Sequence, residues 1–425
     1  MTTDIDVAVI GAGAAGLAAG AALRNAGLSY RVLEAKDRIG GRAYTDTTTF
    51  GVPFDHGCHW LHSASVNPLR MAADRLGIAY GKDIDQPPGV FLNSTWQPDD
   101  AVDRIDLHLK KGFDVIDRAG RLGQDVSAAS VIDQTDDWWP FLRHWIEILC
   151  SGQPEDMSVK DMVRYHDTEE NWPVVKGFGA LVARVGADVV VDLQTEVRSI
   201  EKTASGVRIG TANGTLTAGA VIVTVSTAVL ASGAIRFTPD LPDPVREAIR
   251  NVPLGMAEKI ALGFDRDVFG FKGTKYAAHM HNVHDGGLPL TFTLSPFGYP
   301  LAISFIGGHE VPYLRQQGEQ AMIELALDAL GQMYGNTIRA RFTRGYVTDW
   351  AGDPHIRGGY SYAKAGQAHA RDILVAPFDE RIFLAGEATS SQFFSTAHGA
   401  HLSGLRAAGR AIAALHRPAD LALVI

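Results

Sequence analysis

A glycine-rich turn near the start of the chain has the composition and the setting of a phosphate-binding loop. Residues 11–16 read Gly-Ala-Gly-Ala-Ala-Gly, after an apolar run over residues 5–10 and at the start of an Ala/Leu-rich stretch over residues 14–26. Between a buried strand and a helix, the first glycine turns the chain, the second admits a pyrophosphate to the backbone, and the third packs helix against strand. The helix N-terminus attracts phosphate through its unpaired N–H groups and its dipole. We therefore predict a dinucleotide site, in preference to a glycine-rich turn that binds no ligand.

Glu34 stands at the end of the next predicted strand, over residues 30–34. In this position a carboxylate accepts hydrogen bonds from the ribose hydroxyls of a dinucleotide. The same carboxylate would repel a 2′-phosphate, so it disfavours NADP. Together with the glycines, Glu34 completes the fingerprint of a dinucleotide-binding strand–helix–strand unit.

Two further segments favour FAD over NAD. Arg38 and Arg42 flank Gly40-Gly41, and glycines beside arginines make a second anion-binding turn, which suits a cofactor with a long linker. Far downstream, Glu387 follows an apolar run over residues 381–385, where a carboxylate can bind the ribityl hydroxyls of a flavin. The helix that follows can direct its positive end at the flavin pyrimidine, which becomes anionic on reduction. Because NAD would leave these elements without a ligand, we predict FAD.

Together these segments resemble the flavin-containing amine oxidases, which include monoamine oxidases, polyamine oxidases and lysine-specific histone demethylases. The resemblance extends over nearly the whole chain and is strongest at residues 5–68, 186–264 and 346–410. Besides the glycine turn and Glu34, the matching motifs are Arg38-Ile39-Gly40-Gly41-Arg42, Asp55 to His62 with Asn67-Pro68, Gly255 to Lys259, Trp350 with Asp353-Pro354, Gly358 to Tyr362, Ala385-Gly386-Glu387 and Thr396 to Ala400.

The resemblance implies an α/β fold with a Rossmann-like FAD-binding domain, built from discontinuous segments, and an α+β substrate domain. This is the two-domain fold of amine oxidases and of p-hydroxybenzoate hydroxylase-like proteins. Buried-strand patterns return in the middle and at the end of the 425-residue chain, which agrees with an interrupted domain. We predict the FAD-binding domain over residues 1–75, 186–250 and 370–425, and the substrate domain over residues 76–185 and 251–369.

Three side chains are expected near the reacting atoms. The match at Lys259 implies a lysine held through water at flavin N5, the atom that receives hydride. Lys259 precedes the apolar run 260–264, where a charge is costly unless it has a partner; the alternative is a strand-end lysine that reaches solvent. Tyr360 matches an aromatic side chain beside the flavin that can steer an amine. Trp350 resembles a tryptophan packed near the flavin ring, and core packing is the alternative for both aromatic residues.

Other positions distinguish the branches of the family. Where monoamine oxidases have a second tyrosine, this chain has Thr396, which makes it more similar to polyamine oxidases, especially bacterial ones, and to histone demethylases. Monoamine oxidases attach FAD to a cysteine at the position of Gly359, so we predict non-covalent FAD. His62 matches a histidine of the polyamine-oxidase tunnel, but Ser63 replaces the usual glycine after it, which puts the pocket shape there in doubt.

These arguments give two sets of predicted site residues. The catalytic set is Lys259, Tyr360, His62, Thr396 and Trp350. The cofactor-binding set is Gly11, Gly13, Ala14, Ala15, Gly16, Glu34, Ala35, Gly41, Arg42, Trp60, Val197, Gly386, Glu387, Thr396 and Ala397.

Clusters of polar residues suggest further ligands. One group could be taken for a metal site: His56, Cys58, His59 and His62. Its spacing fits no standard structural zinc pattern, so we predict no metal. A second group is predicted to form a solvated or pocket-facing strand edge: His279, His281, His284 and Asp285. Glu169 or Glu170 could bind the distal ammonium of a diamine or polyamine, or belong to a solvated face.

Composition excludes several classes of partner. The formal charge is −9 and no long Lys/Arg run is present, so nucleic acid is not expected to bind. The two cysteines, Cys58 and Cys150, exclude a disulfide framework and suit a reducing compartment. No signal peptide and no apolar stretch of membrane-spanning length is recognised, so we expect a soluble, cytoplasmic protein with no membrane partner. The oligomeric state is left open, with a homodimer among the options.

The expected function is FAD-dependent oxidation of an amine. A neutral primary or secondary amine (a polyamine, a diamine or a monoamine) loses hydride from its α-carbon to N5. Dioxygen then reoxidises the flavin to give hydrogen peroxide, and the imine hydrolyses to an aldehyde or a ketone. The sequence does not identify the amine.

Three alternatives remain at this stage. An L-amino-acid oxidase on the same fold would need an arginine for the substrate carboxylate, and Arg357 and Arg344 are candidates. A FAD-dependent desaturase also shares the fold. A non-catalytic flavoprotein or partner-binding module is the alternative of a different class. Two features of the chain speak against that last alternative. It has Lys259 and Tyr360, and it lacks long accessory insertions.

Overall fold

The structure is a computed structural model that describes residues 3–82, 89–271, 278–283 and 287–415. Its strands are β1 (Ile5–Ile10), β2 (Tyr30–Leu33), β3 (Thr45–Asp46), β4 (Phe54–Asp55), β5 (Trp60–Leu61), β6 (Gly89–Leu92), β7 (Thr95–Trp96), β8 (Trp172–Pro173), β9 (Val191–Asp192), β10 (Val197–Lys202), β11 (Val207–Thr211), β12 (Gly214–Val223), β13 (Arg236–Thr238), β14 (Ala257–Phe264), β15 (Ala278–Val283), β16 (Leu290–Leu294), β17 (Leu301–Gly307), β18 (Phe342–Val347) and β19 (Ile382–Leu384). Its α-helices are α1 (Ala14–Asn25), α2 (Pro68–Leu76), α3 (Asp99–Arg121), α4 (Trp139–Cys150), α5 (Val159–Met162), α6 (Phe178–Val185), α7 (Thr227–Ala231), α8 (Asp243–Asn251), α9 (Glu310–Gln317), α10 (Glu319–Tyr334), α11 (Ala370–Val375) and α12 (Ala397–Leu415).

The first sheet is built around β1, whose apolar side chains are buried on both faces, as a central parallel strand requires. The strand order is β13-β10-β11-β12-β1-β2-β9, and β19 adds to β12. β1 is parallel to both β2 and β12, and β12 is parallel to β19. The carboxyl ends of these strands therefore meet at one edge of the sheet, where ligands of open α/β sheets bind.

Helices α1 and α12 cover one face of this sheet and pack against each other. Small residues permit the close approach: a Cβ added at Gly404 of α12 would overlap the Ala15 carbonyl oxygen of α1. Both helices begin at the edge where the strands end, so the positive ends of two helix dipoles face the same region.

The second sheet has the order β18-β14-β17-β16-β15-β6-β7 and is antiparallel except for the β15–β6 pair. Helix α10 packs against it through a core of leucine, isoleucine and methionine side chains. In the β14–β17 ladder Lys259 is paired with Phe305, which places these two side chains on the same face of the sheet.

The predicted fold class is confirmed: a Rossmann-like sheet built from separated segments is combined with an α+β unit. Strands of the first sheet fall within residues 5–33, 191–238 and 382–384, and those of the second within residues 89–96 and 257–347. The domain boundaries themselves stay a prediction. Among the described residues, no helix is both long and apolar enough to cross a membrane.

Candidate active site

A large cavity lies between the two sheets, at the carboxyl ends of the parallel strands. The predicted residues that line it are Gly11, Gly13, Ala14, Ala15, Glu34, Ala35, Gly41, Arg42, Trp60, His62, Val197, Lys259, Trp350, Tyr360, Gly386, Glu387, Thr396 and Ala397. The structure thus brings together side chains from the beginning, the middle and the end of the chain. Gly16 is the one predicted site residue that does not line the cavity.

The glycine turn presents an open surface to the cavity. Gly11 has φ +96°, a conformation that favours glycine, and a Cβ at Gly16 would overlap the Gly11 carbonyl oxygen. Gly13, which precedes α1, differs from both: its φ is −73°, and the nearest heavy atom to an added Cβ is the Gly40 oxygen at 4.0 Å. No side chain caps α1. Protein packing therefore does not require glycine at position 13, whereas a phosphate lying against the helix N-terminus would.

We expect Gly13→Val to weaken FAD binding by about tenfold or more, because its side chain fills the space over the helix N-terminus. The apoprotein should lose no more than about 1 kcal/mol of stability, since extended backbone accepts valine. Gly16→Val provides the contrast, because it should destabilise the apoprotein itself. Flavin fluorescence titration and thermal unfolding of both apoproteins measure these effects. Wild-type FAD affinity in Gly13→Val would contradict the assignment.

Glu34 is held in place to receive a ribose. Its two carboxylate oxygens accept the backbone N–H of Ala12 at 2.7 Å and that of Lys36 at 2.9 Å. Thr195 donates its backbone N–H to the Glu34 carbonyl at 2.7 Å. This hydrogen bond joins the segment that follows β2 to the segment that follows β9. Val197 lines the cavity beside it. This end of the cavity has the features that bind the adenosine half of a dinucleotide.

Glu387 forms the centre of a second buried group. Its Oε1 accepts Arg42 Nη1 at 3.0 Å, and its Oε2 accepts the Ser361 hydroxyl at 2.6 Å and the Ser395 N–H at 2.8 Å. Burial opposes ionisation, but Arg42 and these hydrogen bonds prevail and hold the pKa of Glu387 below its ordinary value. The carboxylate is therefore ionised and oriented where ribityl hydroxyls were predicted to bind.

Sequence reasoning missed the buried ion pair behind Glu387. Arg371 is 0% exposed, and its Nε lies 2.8 and 2.9 Å from the two carboxylate oxygens of Asp161. Its Nη1 donates to the Ser361 hydroxyl at 2.9 Å, and its guanidinium lies 4.0 Å from the centre of the Phe394 ring. Because Ser361 is hydrogen-bonded to Glu387, the pair supports the cofactor side of the cavity from behind. The sequence carried no signal for a pair 210 residues apart.

Lys259 is buried, so the alternative of a strand-end lysine that reaches solvent does not apply. Its Nζ donates to the backbone carbonyls of Asp55 and Gly57, each at 2.7 Å, and lies 5.1 Å from the centre of the Phe305 ring. An ammonium has three donors, so one N–H remains for a ligand or a water in the cavity. Burial lowers the pKa of Lys259 to about 8. The residue is thus a positively charged donor at neutral pH that can lose its proton in mild alkali.

Glu258, the neighbour of Lys259 on β14, was also missed. It is 2% exposed and accepts hydrogen bonds from the Thr348 hydroxyl at 2.6 Å and from the backbone N–H groups of Trp350 and Ala351, both at 3.0 Å. Burial raises the pKa of Glu258 to about 7. Its contacts fix the turn that carries Trp350, whose indole N–H donates to the His56 carbonyl at 3.2 Å. A carboxylate in an apolar strand could have indicated such a role.

Aromatic side chains surround the space next to Lys259. The rings of Trp60 and Phe305 have centroids 5.4 Å apart. Tyr360 lines the same cavity, and its hydroxyl donates to the Ile148 carbonyl on α4. Burial raises the pKa of Tyr360 above its ordinary value, so the phenol stays neutral. Tyr360 therefore presents its ring, and no negative charge, to a ligand.

His62 and Thr396 also line the cavity, together with His398, which sequence analysis did not single out. His62 Nδ1 lies 2.5 Å from Asn171 Oδ1, and burial lowers the pKa of His62. Thr396 caps α12, because its hydroxyl oxygen accepts the Gly399 N–H at 3.0 Å. Burial lowers the pKa of His398 to about 3. The imidazoles here are neutral at physiological pH.

Several other predicted groups lie elsewhere. Glu169 and Glu170 do not line the cavity, and Glu170 accepts the Ser65 N–H at 3.0 Å. Of the two arginines that could bind a substrate carboxylate, Arg344 lies outside and donates to the Thr49 carbonyl at 3.0 Å, whereas Arg357 lines the cavity. Among the described residues, no group of three His, Cys, Asp or Glu residues could hold a metal ion.

The prediction of a solvated or pocket-facing histidine edge on β15 is wrong for His281, whereas His279 on the same strand is half-buried. β15 is an interior strand, between β16 and β6. His281 is buried and shares the Thr291 hydroxyl with His144, at 3.1 and 2.9 Å. Neither His279 nor His281 lines the cavity, and Phe141 and Trp145 of α4 pack against the His281 ring. His284 and Asp285 lie outside the described residues.

The cavity fits FAD on three grounds. The open glycine turn suits a pyrophosphate, together with the N-terminus of α1. At one end of the cavity, Glu34 suits a ribose. At the other end, Glu387 and the start of α12 suit the ribityl chain and the flavin. A bound flavin supplies the capacity to accept a hydride, which amino-acid side chains lack.

The sequence matches a known family over most of its length. A family model described as "Flavin containing amine oxidoreductase" matches residues 155–412, and one described as "NAD(P)-binding Rossmann-like domain" matches residues 9–76. Lysine-specific histone demethylase 1B of Mus musculus is 29% identical over 439 residues, which cover 95% of this chain and 52% of that protein. This chain thus spans about half the length of that demethylase. Polyamine oxidase 2 of Arabidopsis thaliana is 27% identical over 448 residues, with 96% and 88% of the two chains covered.

A solved structure has the same fold. A putrescine oxidase double mutant, from a structure-based redesign of cofactor binding, superposes with a TM-score of 0.78 at 19% sequence identity, covering 96% of this chain and 99% of that one. The family model alone covers more than half of the chain, including Lys259, Tyr360 and Glu387. The protein therefore belongs to the flavin-containing amine oxidoreductase family, and its cofactor is FAD.

Proposed function

We propose that this protein oxidises a primary or secondary amine to an imine, with hydride passing from the carbon beside the nitrogen to N5 of FAD. One observation carries the proposal: the buried ammonium of Lys259 and the ring of Tyr360 line the same cavity as the groups that suit FAD. We further propose that the cofactor is bound without a covalent link, since Gly359 carries no thiol. The free thiols of Cys58 and Cys150 support a cytoplasmic location.

The residues around the amine favour its neutral form. An ammonium has no lone pair to stabilise the carbon that loses hydride, so the amine must react unprotonated. Trp60, Phe305 and Tyr360 supply an apolar surrounding that lowers the pKa of a bound amine. Tyr360 is held by Ile148 through its hydroxyl and stays neutral, so its part is to orient the substrate by its ring.

Lys259 takes part in the oxidative half-reaction of the proposed cycle, in which dioxygen is reduced. Its remaining N–H can hold a water or dioxygen, and its positive charge stabilises the negative charge that develops as dioxygen is reduced. The carbonyls of Asp55 and Gly57 fix the position of that charge. We propose dioxygen as the acceptor and hydrogen peroxide as its product, with hydrolysis of the released imine to an aldehyde or ketone.

Oxygen consumption by the purified holoenzyme tests the proposal. We expect primary or secondary amines to drive oxygen uptake, with one hydrogen peroxide and one aldehyde or ketone per dioxygen consumed. L-amino acids form the comparison set, because Arg357 lines the cavity and could bind a carboxylate. Turnover of amino acids alone, with 2-keto acid as product, would replace the proposal by the amino-acid-oxidase alternative. Turnover of neither class would refute it.

A further inference from the structure

The C-terminal end of α4, up to its cap residue Ser151, contacts Tyr360 at two points. The Ile148 carbonyl accepts a hydrogen bond from the Tyr360 hydroxyl, and the Ser151 hydroxyl donates to the backbone carbonyl of Tyr360 at 2.7 Å. Ile148 and Tyr360 line the cavity, whereas Ser151 does not and is 1% exposed. One helix end therefore holds both the tip of the Tyr360 side chain and its backbone.

The backbone of Ser151 adopts the left-handed conformation, with φ +58°. Glycine is less strained than any other residue in this conformation and is common at the ends of helices. Serine provides a hydroxyl that glycine lacks, and that hydroxyl has a defined partner, the Tyr360 carbonyl. The residue type at position 151 is therefore explained by the contact with Tyr360 and not by the turn.

Ser151 also joins Tyr360 to the strand that carries Lys259. The Ser151 carbonyl accepts the N–H of Met256, which immediately precedes β14, at 2.9 Å. The Tyr360 carbonyl accepts a second hydrogen bond, from the Gly255 N–H at 2.9 Å. A Cβ added at Gly255 would overlap the Ser151 carbonyl oxygen, so the segments are in close contact here. The position of Tyr360 relative to β14 thus depends on this junction.

We propose that Ser151 is a positioning residue, which fixes the Tyr360 ring at the place where the amine binds. This inference rests on the proposed amine oxidation, in which that ring orients the substrate. Loss of the Ser151 hydroxyl leaves the Tyr360 carbonyl with one hydrogen bond in place of two, so the ring is held less firmly while the fold is kept. A displaced ring contacts the amine less well, and the amine binds more weakly.

Two substitutions of Ser151 test this role. Ser151→Ala removes the hydroxyl, and Ser151→Gly removes it while it relieves the left-handed backbone. Each holoenzyme is mixed anaerobically with a panel of primary and secondary amines that includes hexylamine, 1,6-diaminohexane and benzylamine, and flavin reduction is followed. For the amine that reduces the wild type fastest, we expect the apparent Kd to rise about threefold to tenfold in both variants.

The reaction with dioxygen provides an internal comparison. The reduced Ser151 variants should react with dioxygen at a rate within about twofold of the wild-type rate. The reason is that neither substitution changes the Asp55 and Gly57 carbonyls that hold Lys259. A general loss of structure would slow both half-reactions, whereas a displaced Tyr360 ring affects the reaction with the amine.

Ser295→Ala is the matched control variant. Ser295 is also a fully buried serine in the left-handed conformation, with φ +49°. Its hydroxyl donates to the Asp267 carboxylate at 3.3 Å, and Ser295 does not line the cavity. The apparent Kd of Ser295→Ala should therefore stay within about twofold of the wild-type value.

A double variant tests whether Ser151 acts through the ring. In a Tyr360→Ala background the ring is absent, so Ser151→Ala should change the Kd by less than about twofold. The inference is overturned if Ser151→Ala binds the amine as Ser295→Ala does, or if its full effect persists without the ring, and either result leaves amine oxidation intact. If no amine of the panel reduces the wild-type flavin while dithionite does, both the proposed function and the inference fail.

Discussion

Replacement of Lys259 by methionine should slow the reaction of the reduced enzyme with dioxygen by about two to three orders of magnitude. Methionine keeps much of the shape of lysine and removes both the charge and the donor. The reduction of the enzyme by amine should change much less, because the neutral substrate is oriented by aromatic surface and not by Lys259. Stopped-flow measurement of the two half-reactions separates these effects. A Lys259→Met enzyme that reacts with dioxygen at the wild-type rate would contradict the role proposed for the ammonium.

The pH dependence gives this prediction a second, independent readout. Burial lowers the pKa of Lys259 to about 8, so the wild-type oxygen reaction should slow as pH rises through that value and the ammonium loses its proton. Lys259→Met should show no such transition.

The free energy of unfolding should instead rise with pH above about 8. The reason is that the folded protein releases the Lys259 proton at a lower pH than the unfolded chain does. Urea titrations at several pH values check this rise and its loss in the variant.

Replacement of Arg371 by methionine should lower the free energy of unfolding by about 3–5 kcal/mol, because it leaves the Asp161 carboxylate buried without its partner. FAD affinity should fall as well, since Arg371 holds the Ser361 hydroxyl that donates to Glu387. Urea denaturation of the apoprotein and flavin titration measure the two effects separately.

Two further variants sharpen that experiment. Arg164→Met removes an ion pair with Asp372 that is partly exposed, and should cost only about 1 kcal/mol or less. The double variant Arg371→Met/Asp161→Asn should recover part of the lost stability, because no uncompensated charge remains buried. Equal destabilisation by Arg371→Met and Arg164→Met would show that the buried pair has no special role.

The parts of the site that could be predicted from sequence are those in which local chemistry fixes geometry. The glycine turn, Glu34 and the start of α12 each follow a strand or begin a helix, so their position at one sheet edge follows from the parallel strands. Lys259 was recognisable because a charge in an apolar strand needs a partner. Its partners, the carbonyls of Asp55 and Gly57, could not be predicted, since backbone acceptors leave no mark on residue type.

The parts that escaped prediction depend on packing between distant segments. Arg371 and Asp161 are ordinary charged residues in sequence, and only the docking of α11 near α5 makes them a buried pair. His281 was predicted at a solvated or pocket-facing edge because its strand alternates in polarity. Burial followed because α4 covers that face of the sheet and Thr291 satisfies the imidazole.

The central claim is that an amine bound in this cavity would lose a hydride from the carbon beside its nitrogen, and that FAD held there would supply the hydride acceptor. The most direct test is anaerobic mixing of the holoenzyme with hexylamine and with its α-dideuterated form, while the visible absorbance of the flavin is followed. We predict rapid bleaching that is several-fold slower with the deuterated amine, because the C–H bond breaks in that step. No bleaching by any amine of a broad panel, or bleaching that deuterium does not slow, would contradict the account.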